Sequence, residues 1–295
     1  MKLNNILIAS DFSKHAEWAL QRTLDLAKPH NTKVHFIHVI TPPLSSIVTF
    51  SDTEQNPDFF SEKKDLEDKI LNKLKENHYD SFANISVILG RPSDEVVRYA
   101  EEHDCELIVL GAHGAYYIND YVLGTTSGSI IRQSHTPVLL VKKEPDFTYN
   151  KILIATDLSE SNKDMVRMAF QCFPNATFQL LYIVDIYYRQ LEASRHPDST
   201  LTNTPHPKMQ AIIEKLELFL DECDVDKSKF TKKVIGGYYA DAIIEQANNW
   251  NADLLIFGTQ GKSGLHYLLM GSVAKRIIYL SSVDMLVFSP RNQVS

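Results

Sequence analysis

The 295 residues have an ordinary globular composition and favour two domains, each long enough to bury a core of its own. A formal net charge of −7 argues against a surface for nucleic acid or for an anionic membrane, although it is compatible with one local anion site. No apolar run approaches the roughly 20 residues of a membrane span, and the three cysteines show no CxxC spacing, so we expect a cytoplasmic protein.

Apolar runs alternate with helical patterns along the first half. A buried strand is predicted from Ile6 to Ala9, followed by a helix that Ser13 caps and whose apolar residues recur every 3.6 positions. A loop rich in Pro and Ser occupies 41–57. The other predicted elements are, in chain order, a strand at 34–40, a helix around 66–74, a strand at 85–89, a helix from Ser93, a strand at 107–110, a helix from Thr125 and a strand at 138–141.

The second half repeats this order. The segment 6–13 aligns with 152–159 at an offset of 146, and the last strands, 138–141 and 285–288, align at 147. Since this period exceeds that of solenoid repeats, it indicates duplication of a whole domain. We expect domains at 1–145 and 150–291, with a longer loop at 185–207 in the second.

Short apolar strands separated by helices predict an α/β fold, with two doubly wound five-stranded parallel-sheet domains in tandem. Such sheets bind ligands beyond the carboxyl ends of their strands, at the point where the strand order reverses. The sequence alone does not fix that order.

A glycine motif follows the fourth predicted strand of each half. Its copies are Gly111-x2-Gly114-x9-Gly124-Thr125 and Gly258-x2-Gly261-x9-Gly271-Ser272. The first glycine of each copy could leave the strand with positive φ, and the second could let a ligand approach the backbone. The last pair would begin a helix, whose free N–H groups favour phosphate. The alternative is a loop that merely needs turns and a helix cap.

Asp11 and Asp157 end the first strand of each half and precede x-Ser. At the edge where the glycine loops also lie, each carboxylate could accept hydrogen bonds from ribose hydroxyls. The alternative is an Asx turn that starts the next helix.

Several catalytic and metal patterns are excluded. Gly261-Lys262-Ser263 resembles the end of a Walker A loop, but Ile256 stands where that motif needs glycine. His35 and His38 lie three apart on a strand and so face opposite sides, which argues against a shared metal. No Ser/His/Asp order, GxSxG elbow or carboxylate pair is evident, so we assign no catalytic and no metal-binding residue.

These residues resemble a tandem member of the universal stress protein family, which carries G-x2-G-x9-G-(S/T) after its fourth strand and Asp after its first. The resemblance covers roughly residues 2–290. It implies the adenine nucleotide alpha hydrolase-like fold, with ATP, alone or with Mg²⁺, in the crevice of each half. It also implies that ribose meets Asp11 and Asp157, and that adenine meets the backbone of Val39 and Ile183. The phosphates would lie among Gly111, Gly114, Gly124 and Thr125 in the first half, and among Gly258, Gly261, Gly271 and Ser272 in the second.

The halves differ in two respects. The first glycine loop contains the bulky Ala115-Tyr116-Tyr117, and the second contains Lys262-Ser263-Gly264, so we expect the second site to bind ATP more reliably. The last strands begin Pro137-Val138 and Asp284-Met285. Because fifth strands pair in dimers of the family, we expect these strands to pair within one chain as an intramolecular pseudo-dimer, with a homodimer left open.

The leading hypothesis is a cytoplasmic ATP-binding protein of the stress response that signals nucleotide state to unidentified protein partners. Without a Walker lysine or a dedicated base, at most slow ATP hydrolysis is expected. One alternative is an interaction scaffold with vestigial pockets. Another is an ATP-dependent adenylating enzyme, against which the absence of glycine after the first strand argues.

Overall fold

A computed structural model describes residues 3–41, 57–76, 83–112, 124–185, 207–260 and 270–289. The chain divides into two compact units, Lys2–Pro145 and Asp146–Ser295, which we call the first and second domains.

The first domain contains parallel strands and connecting helices. Its strands are Asn5–Ala9 (β1), Lys33–Ile40 (β2), Ala83–Leu89 (β3), Leu107–Gly111 (β4) and Val138–Val141 (β5). Its helices are Lys14–His30 (α1), Pro57–Glu76 (α2), Pro92–Glu102 (α3) and Thr125–Gln133 (α4). The strand order is β3-β2-β1-β4-β5, so the order reverses between β1 and β4.

The second domain repeats this arrangement. Its strands are Lys151–Ala155 (β6), Thr177–Asp185 (β7), Phe230–Gly237 (β8), Leu254–Gly258 (β9) and Asp284–Phe288 (β10). Its helices are Glu160–Cys172 (α5), Pro207–Cys223 (α6), Tyr239–Asn249 (α7) and Ser272–Leu280 (α8), with a 3-10 turn at Lys227–Lys229. The order is β8-β7-β6-β9-β10, again all parallel, and the predicted pair of doubly wound five-stranded domains is confirmed.

The central strand of each sheet supplies the middle of the core. Ile6, Leu7 and Ile8 in β1 are fully buried, as is the corresponding run at 152–154 in β6. Continuous burial is expected where helices cover both faces of a parallel sheet. Each such side chain contributes about 1.5–3 kcal/mol to folding. None of the helices in the described ranges is both long and apolar enough to span a bilayer.

The two first helices begin differently. The Ser13 side chain accepts a hydrogen bond from the N–H of Ala16 at 3.2 Å, which confirms the predicted cap of α1. Ser159 occupies the same position before α5 but makes no such bond, and its hydroxyl instead lies 3.1 Å from that of Ser161.

A buried carboxylate distinguishes the last strand of the second domain. Asp284 is fully buried at the start of β10, and its Oδ2 accepts a hydrogen bond of 2.6 Å from the Tyr149 hydroxyl. Pro137 stands at the corresponding position in the first domain. The tyrosine therefore provides a donor that makes an acidic residue tolerable at this place in the sheet.

Replacement of Tyr149 by Phe should destabilise the second domain by about 1–3 kcal/mol, because the buried carboxylate loses a donor. The matched control is Tyr279→Phe, at a side chain that is 46% exposed, where we expect a change below about 0.5 kcal/mol. Urea denaturation of the full chain, followed by Trp250 fluorescence in a Trp18→Phe background, measures both. Equal midpoints for the two variants would contradict the prediction.

Candidate functional site

The first strand of each domain ends in the same turn. The Asp11 Oδ1 accepts a hydrogen bond of 3.0 Å from the N–H of Ser13. The Asp157 Oδ1 accepts one of 2.9 Å from the N–H of Ser159. Both carboxylates thus make the Asx turn that the sequence offered as the alternative interpretation, and each uses one oxygen to do so.

The residue after each of these aspartates has a left-handed backbone conformation. Phe12 has φ of 61° and Leu158 has φ of 62°. The N–H of Phe12 donates to the Ser10 hydroxyl oxygen at 3.1 Å. The N–H of Leu158 donates to the Thr156 hydroxyl oxygen at 3.0 Å. A bulky residue in this region costs about 1–2 kcal/mol, so both domains store strain at the same turn. No sequence signal marks it, because neither residue favours positive φ.

The second oxygen of Asp157 has a separate role. Oδ2 is buried and has no hydrogen-bond partner among the described residues. Asn162, whose Oδ1 accepts from the Asp157 N–H and from the Thr156 hydroxyl at 3.1 and 2.9 Å, holds the turn in place. A buried acceptor without a donor is costly, so a ligand hydroxyl at this position would be favourable. The turn therefore uses one oxygen of this carboxylate, and the other has no partner among the described residues.

A main-chain hydrogen bond fixes the start of the last helix in each domain. The N–H of Gly124 donates to the Ala112 carbonyl at 3.1 Å, and the N–H of Gly271 donates to the Thr259 carbonyl at 2.9 Å. Since the acceptors directly follow β4 and β9, these bonds hold α4 and α8 at the carboxyl edge of each sheet.

Glycine occupies the N-cap position of both last helices. Gly124 and Gly271 are the N-cap residues, and within the described ranges no side-chain cap is seen at either helix. The first helical residues, Thr125 and Ser272, are exposed. Free N–H groups at the positive end of a helix favour an anion, and a nearby hydroxyl adds a donor.

The first glycine of each motif acts differently from the expectation. Neither Gly111 nor Gly258 is among the residues with positive φ, so the predicted positive φ is wrong for both. A Cβ on Gly111 would lie 2.7 Å from the His15 carbonyl carbon and 2.8 Å from the Ala16 nitrogen. Gly111 is therefore needed for the close approach of α1 to β4. The corresponding Cβ on Gly258 would meet no atom nearer than the Gln260 oxygen at 3.3 Å.

The second strand presents main-chain groups to the crevice. The pairing of β1 with β2 ends at Ile37, and that of β6 with β7 ends at Leu181. The residue after β1 and the residue after β6 donate their N–H groups to these two carbonyls, at 3.0 and 2.9 Å. In a strand, main-chain groups two residues apart point to the same side. The main-chain groups of Val39 and Ile183 therefore point to the side of the central strand, but beyond its end.

The structure brings most of the candidate residues to the carboxyl edge of their own sheet. These are Asp11, Val39, Gly111, Gly124 and Thr125 in the first domain, and Asp157, Ile183, Gly258, Gly271 and Ser272 in the second. Gly114 and Gly261 lie outside the described residues, as do the segments 115–117 and 262–264 that distinguish the two loops.

An aromatic contact at this edge was not anticipated from the sequence. His38 Nδ1 lies 2.8 Å from the Ser10 carbonyl oxygen, and its ring packs 4.6 Å from the ring of Phe12. His35 contacts Tyr99 instead, at 3.3 Å, so the two histidines have different surroundings.

A cavity of about 230 Å³ lies beside the same turn in the first domain. Its wall is mostly apolar, although Ser10, Glu17 and Lys69 also line it. The lining residues include Phe12, Ala16, Leu20, Phe36, Leu66 and Ile70.

The architecture and the paired edge features define a tandem α/β protein in which the last helix of each domain begins at a glycine on the carboxyl edge of the sheet. The model of the universal stress protein family matches residues 2–142 and again 148–289, so the chain belongs to this family. A universal stress protein of Methanocaldococcus jannaschii is 27% identical over 153 residues, which cover 47% of this chain and 94% of that protein. A solved universal stress protein of Archaeoglobus fulgidus shares the fold, with a TM-score of 0.71 at 17% identity, over 98% of this chain and 99% of that one.

The two motif glycines should respond differently to the same substitution. Gly111→Ala should cost the first domain about 1–3 kcal/mol, because its methyl group would overlap main-chain atoms of α1. Gly258→Ala should cost the second domain less than about 1 kcal/mol, because a small shift relieves its contact. Urea denaturation with Trp18 or Trp250 as the sole fluorescent reporter compares them. A larger loss for Gly258→Ala would refute the assignment of Gly111 to helix packing.

Proposed function

We propose that the chain binds an adenine nucleotide, ATP in particular, at the carboxyl edge of each domain and signals nucleotide state in a stress response. One observation in the second domain carries the proposal. Among the described residues, the Asp157 Oδ2 has no hydrogen-bond partner and the start of α8 has no side-chain cap, and both lie at one edge of the sheet. A nucleotide offers the matching groups on one molecule, since its sugar supplies hydroxyl donors and its phosphates supply negative charge.

The sugar and base would be recognised from β6 and β7. Asp157 would accept from a ribose hydroxyl through Oδ2 while Oδ1 keeps its bond to Ser159. The main-chain groups of Ile183, which point past the end of β6, would donate to and accept from the edge of the adenine ring. In the first domain, Asp11 and Val39 would take these two roles.

The phosphates would be bound by the glycine motif. Main-chain N–H groups at the start of α8 would donate to phosphate oxygens, with the exposed Ser272 hydroxyl beside them. Gly258, Gly261 and Gly271 would leave room for the phosphates to approach the backbone. In the first domain, Gly124 and Thr125 would act in the same way, together with Gly111 and Gly114.

Binding, and not rapid turnover, is the activity that we propose. The sequence has no Walker lysine and no pair of catalytic carboxylates, so fast phosphoryl transfer lacks its usual parts. The signal would then be carried by the ordering of protein around the nucleotide, in a cytoplasmic protein with protein partners. Mg²⁺ that accompanied ATP would neutralise phosphate charge. Pairing of the last strands within one chain remains a prediction.

The protein as purified should carry adenine nucleotide, which mass spectrometry of the material released on denaturation would identify. ATP at 100 times its dissociation constant should add about 2.7 kcal/mol of stability, visible as a higher melting temperature. Free adenine at the same concentration is the control and should add much less. The scaffold alternative predicts no released nucleotide and no thermal shift.

Asp157→Asn should weaken ATP binding at the second site about tenfold. The amide oxygen can still accept from Ser159, but an N–H donor replaces the oxygen proposed to meet ribose, a loss of about 1.4 kcal/mol. Titration calorimetry on the full chain would measure it. The matched control is Asp164→Asn on α5, whose carboxylate is 80% exposed.

A sugar analogue tests the same contact from the ligand side. The unaltered chain should bind 2′,3′-dideoxy-ATP more weakly than ATP at the second site. The Asp157→Asn variant should bind the two nucleotides alike, because the contact is already lost. If removal of the sugar hydroxyls weakens nucleotide binding equally in the unaltered chain and in the Asp157→Asn variant, Asp157 does not bind the sugar.

A further inference from the structure

A cluster of three rings, of which His35 and Tyr99 are buried and His103 is exposed, joins β2 to α3 in the first domain. His35 Nδ1 lies 3.3 Å from the hydroxyl oxygen of Tyr99. Tyr99 stacks on His103, the C-cap residue of α3, with ring centroids 3.9 Å apart. The rings of His35 and His103 meet edge to face at 5.4 Å. The cluster therefore connects the sheet to the end of the helix that covers it.

The surroundings of His35 oppose a positive charge. The side chain is 4% exposed, and Nε2 is buried without a hydrogen-bond partner among the described residues. Burial lowers the pKa of His35, and the positive charges of His103 and Lys33 lower it further. An imidazolium at this position would carry a second N–H donor with no acceptor.

The groups from other elements do not supply a compensating charge. On the β1 side, His35 is in register with Leu7, which is apolar. The Ser86 hydroxyl of β3 lies 3.4 Å from that of Tyr99. Burial raises the pKa of Tyr99, and it raises the pKa of the neighbouring Cys105 to about 12, so both stay neutral in acid.

The second domain has amides at the corresponding positions. Gln179 lies in β7 in register with Leu153, as His35 in β2 lies in register with Leu7. Gln246 lies in α7 where Tyr99 lies in α3, and its Nε2 donates to the Gln179 Oε1 at 2.6 Å. Trp250 caps α7 where His103 caps α3. The same junction is thus titratable in one domain and not in the other.

We propose that the cluster of His35, Tyr99 and His103 makes the first domain selectively sensitive to acid. Protonation of His35 weakens the junction between β2 and α3, while the second domain, held by Gln179 and Gln246, keeps its stability. Acidification would then lower the folding stability of the first domain and leave that of the second domain unchanged.

The direction of the pH dependence follows from proton linkage. The unfolded chain binds a proton at His35 more readily than the folded chain does, since burial lowers the pKa in the folded state. The stabilising contribution is fully present above about pH 6.5 and is lost as the pH falls toward the lowered pKa. Each pH unit within that window reduces the folding equilibrium constant by up to about tenfold.

The test uses the two tryptophans, one in each domain. Urea denaturation of the full chain without nucleotide, at about pH 7.5 and about pH 5.5, is followed by Trp18 in a Trp250→Phe background, and by Trp250 in a Trp18→Phe background. The variant His35→Gln/Tyr99→Gln copies the pair of the second domain. We expect acid to lower the folding constant of the first domain more in the parent than in this variant, by up to about tenfold.

Equal pH dependence of the first domain in parent and variant would overturn the proposal, as would an equal loss in the second domain. Should the double variant fail to fold, NMR titration of the histidines in the parent decides the matter. His35 should then remain neutral below about pH 6.5, and protonation at or above that value would refute the proposal. Because nucleotide is absent, neither result depends on the proposed function.

Discussion

The reversal of strand order between β1 and β4, and between β6 and β9, is the constraint on which the rest of the structure depends. Right-handed connections carry the chain away from these strands in opposite directions, so no connection crosses their carboxyl ends. The aspartate turn lies at the opening that results, and the last helix of each domain begins there. A single topological feature thus places an aspartate carboxylate and the first turn of a helix at the same edge of each sheet.

The two domains reach this arrangement through different local contacts. Ala16 approaches the end of β4 so closely that Gly111 has no space for a side chain. Asn162 stands at the corresponding position of α5 and instead binds the turn that holds Asp157. Duplication has therefore preserved the backbone design while the polar contacts that support it diverged. The amide pair of the second domain and the histidine cluster of the first are another instance.

Residues whose role is set by near neighbours in sequence could be predicted well. Ser13 caps α1 because a helix start needs an acceptor three residues before its free N–H, and this requirement is local. The apolar strands were recognisable because burial on both faces needs unbroken hydrophobic runs. The role of Gly111 could not be predicted, because the atoms that exclude a Cβ belong to α1, nearly a hundred residues earlier.

The sequence by itself determined the duplication, the parallel α/β class and the set of residues that gather at one edge, because these follow from periodicity and from the order of elements. Tertiary structure alone decided which atoms those residues contact and which backbone conformations they adopt. One oxygen of Asp157 accepts from the backbone and the other has no partner within the part of the chain that the structure describes, and Phe12 and Leu158 adopt strained left-handed conformations. Such outcomes depend on which atoms come into contact in the folded chain, and the order of residues in the sequence does not specify the distances between those atoms.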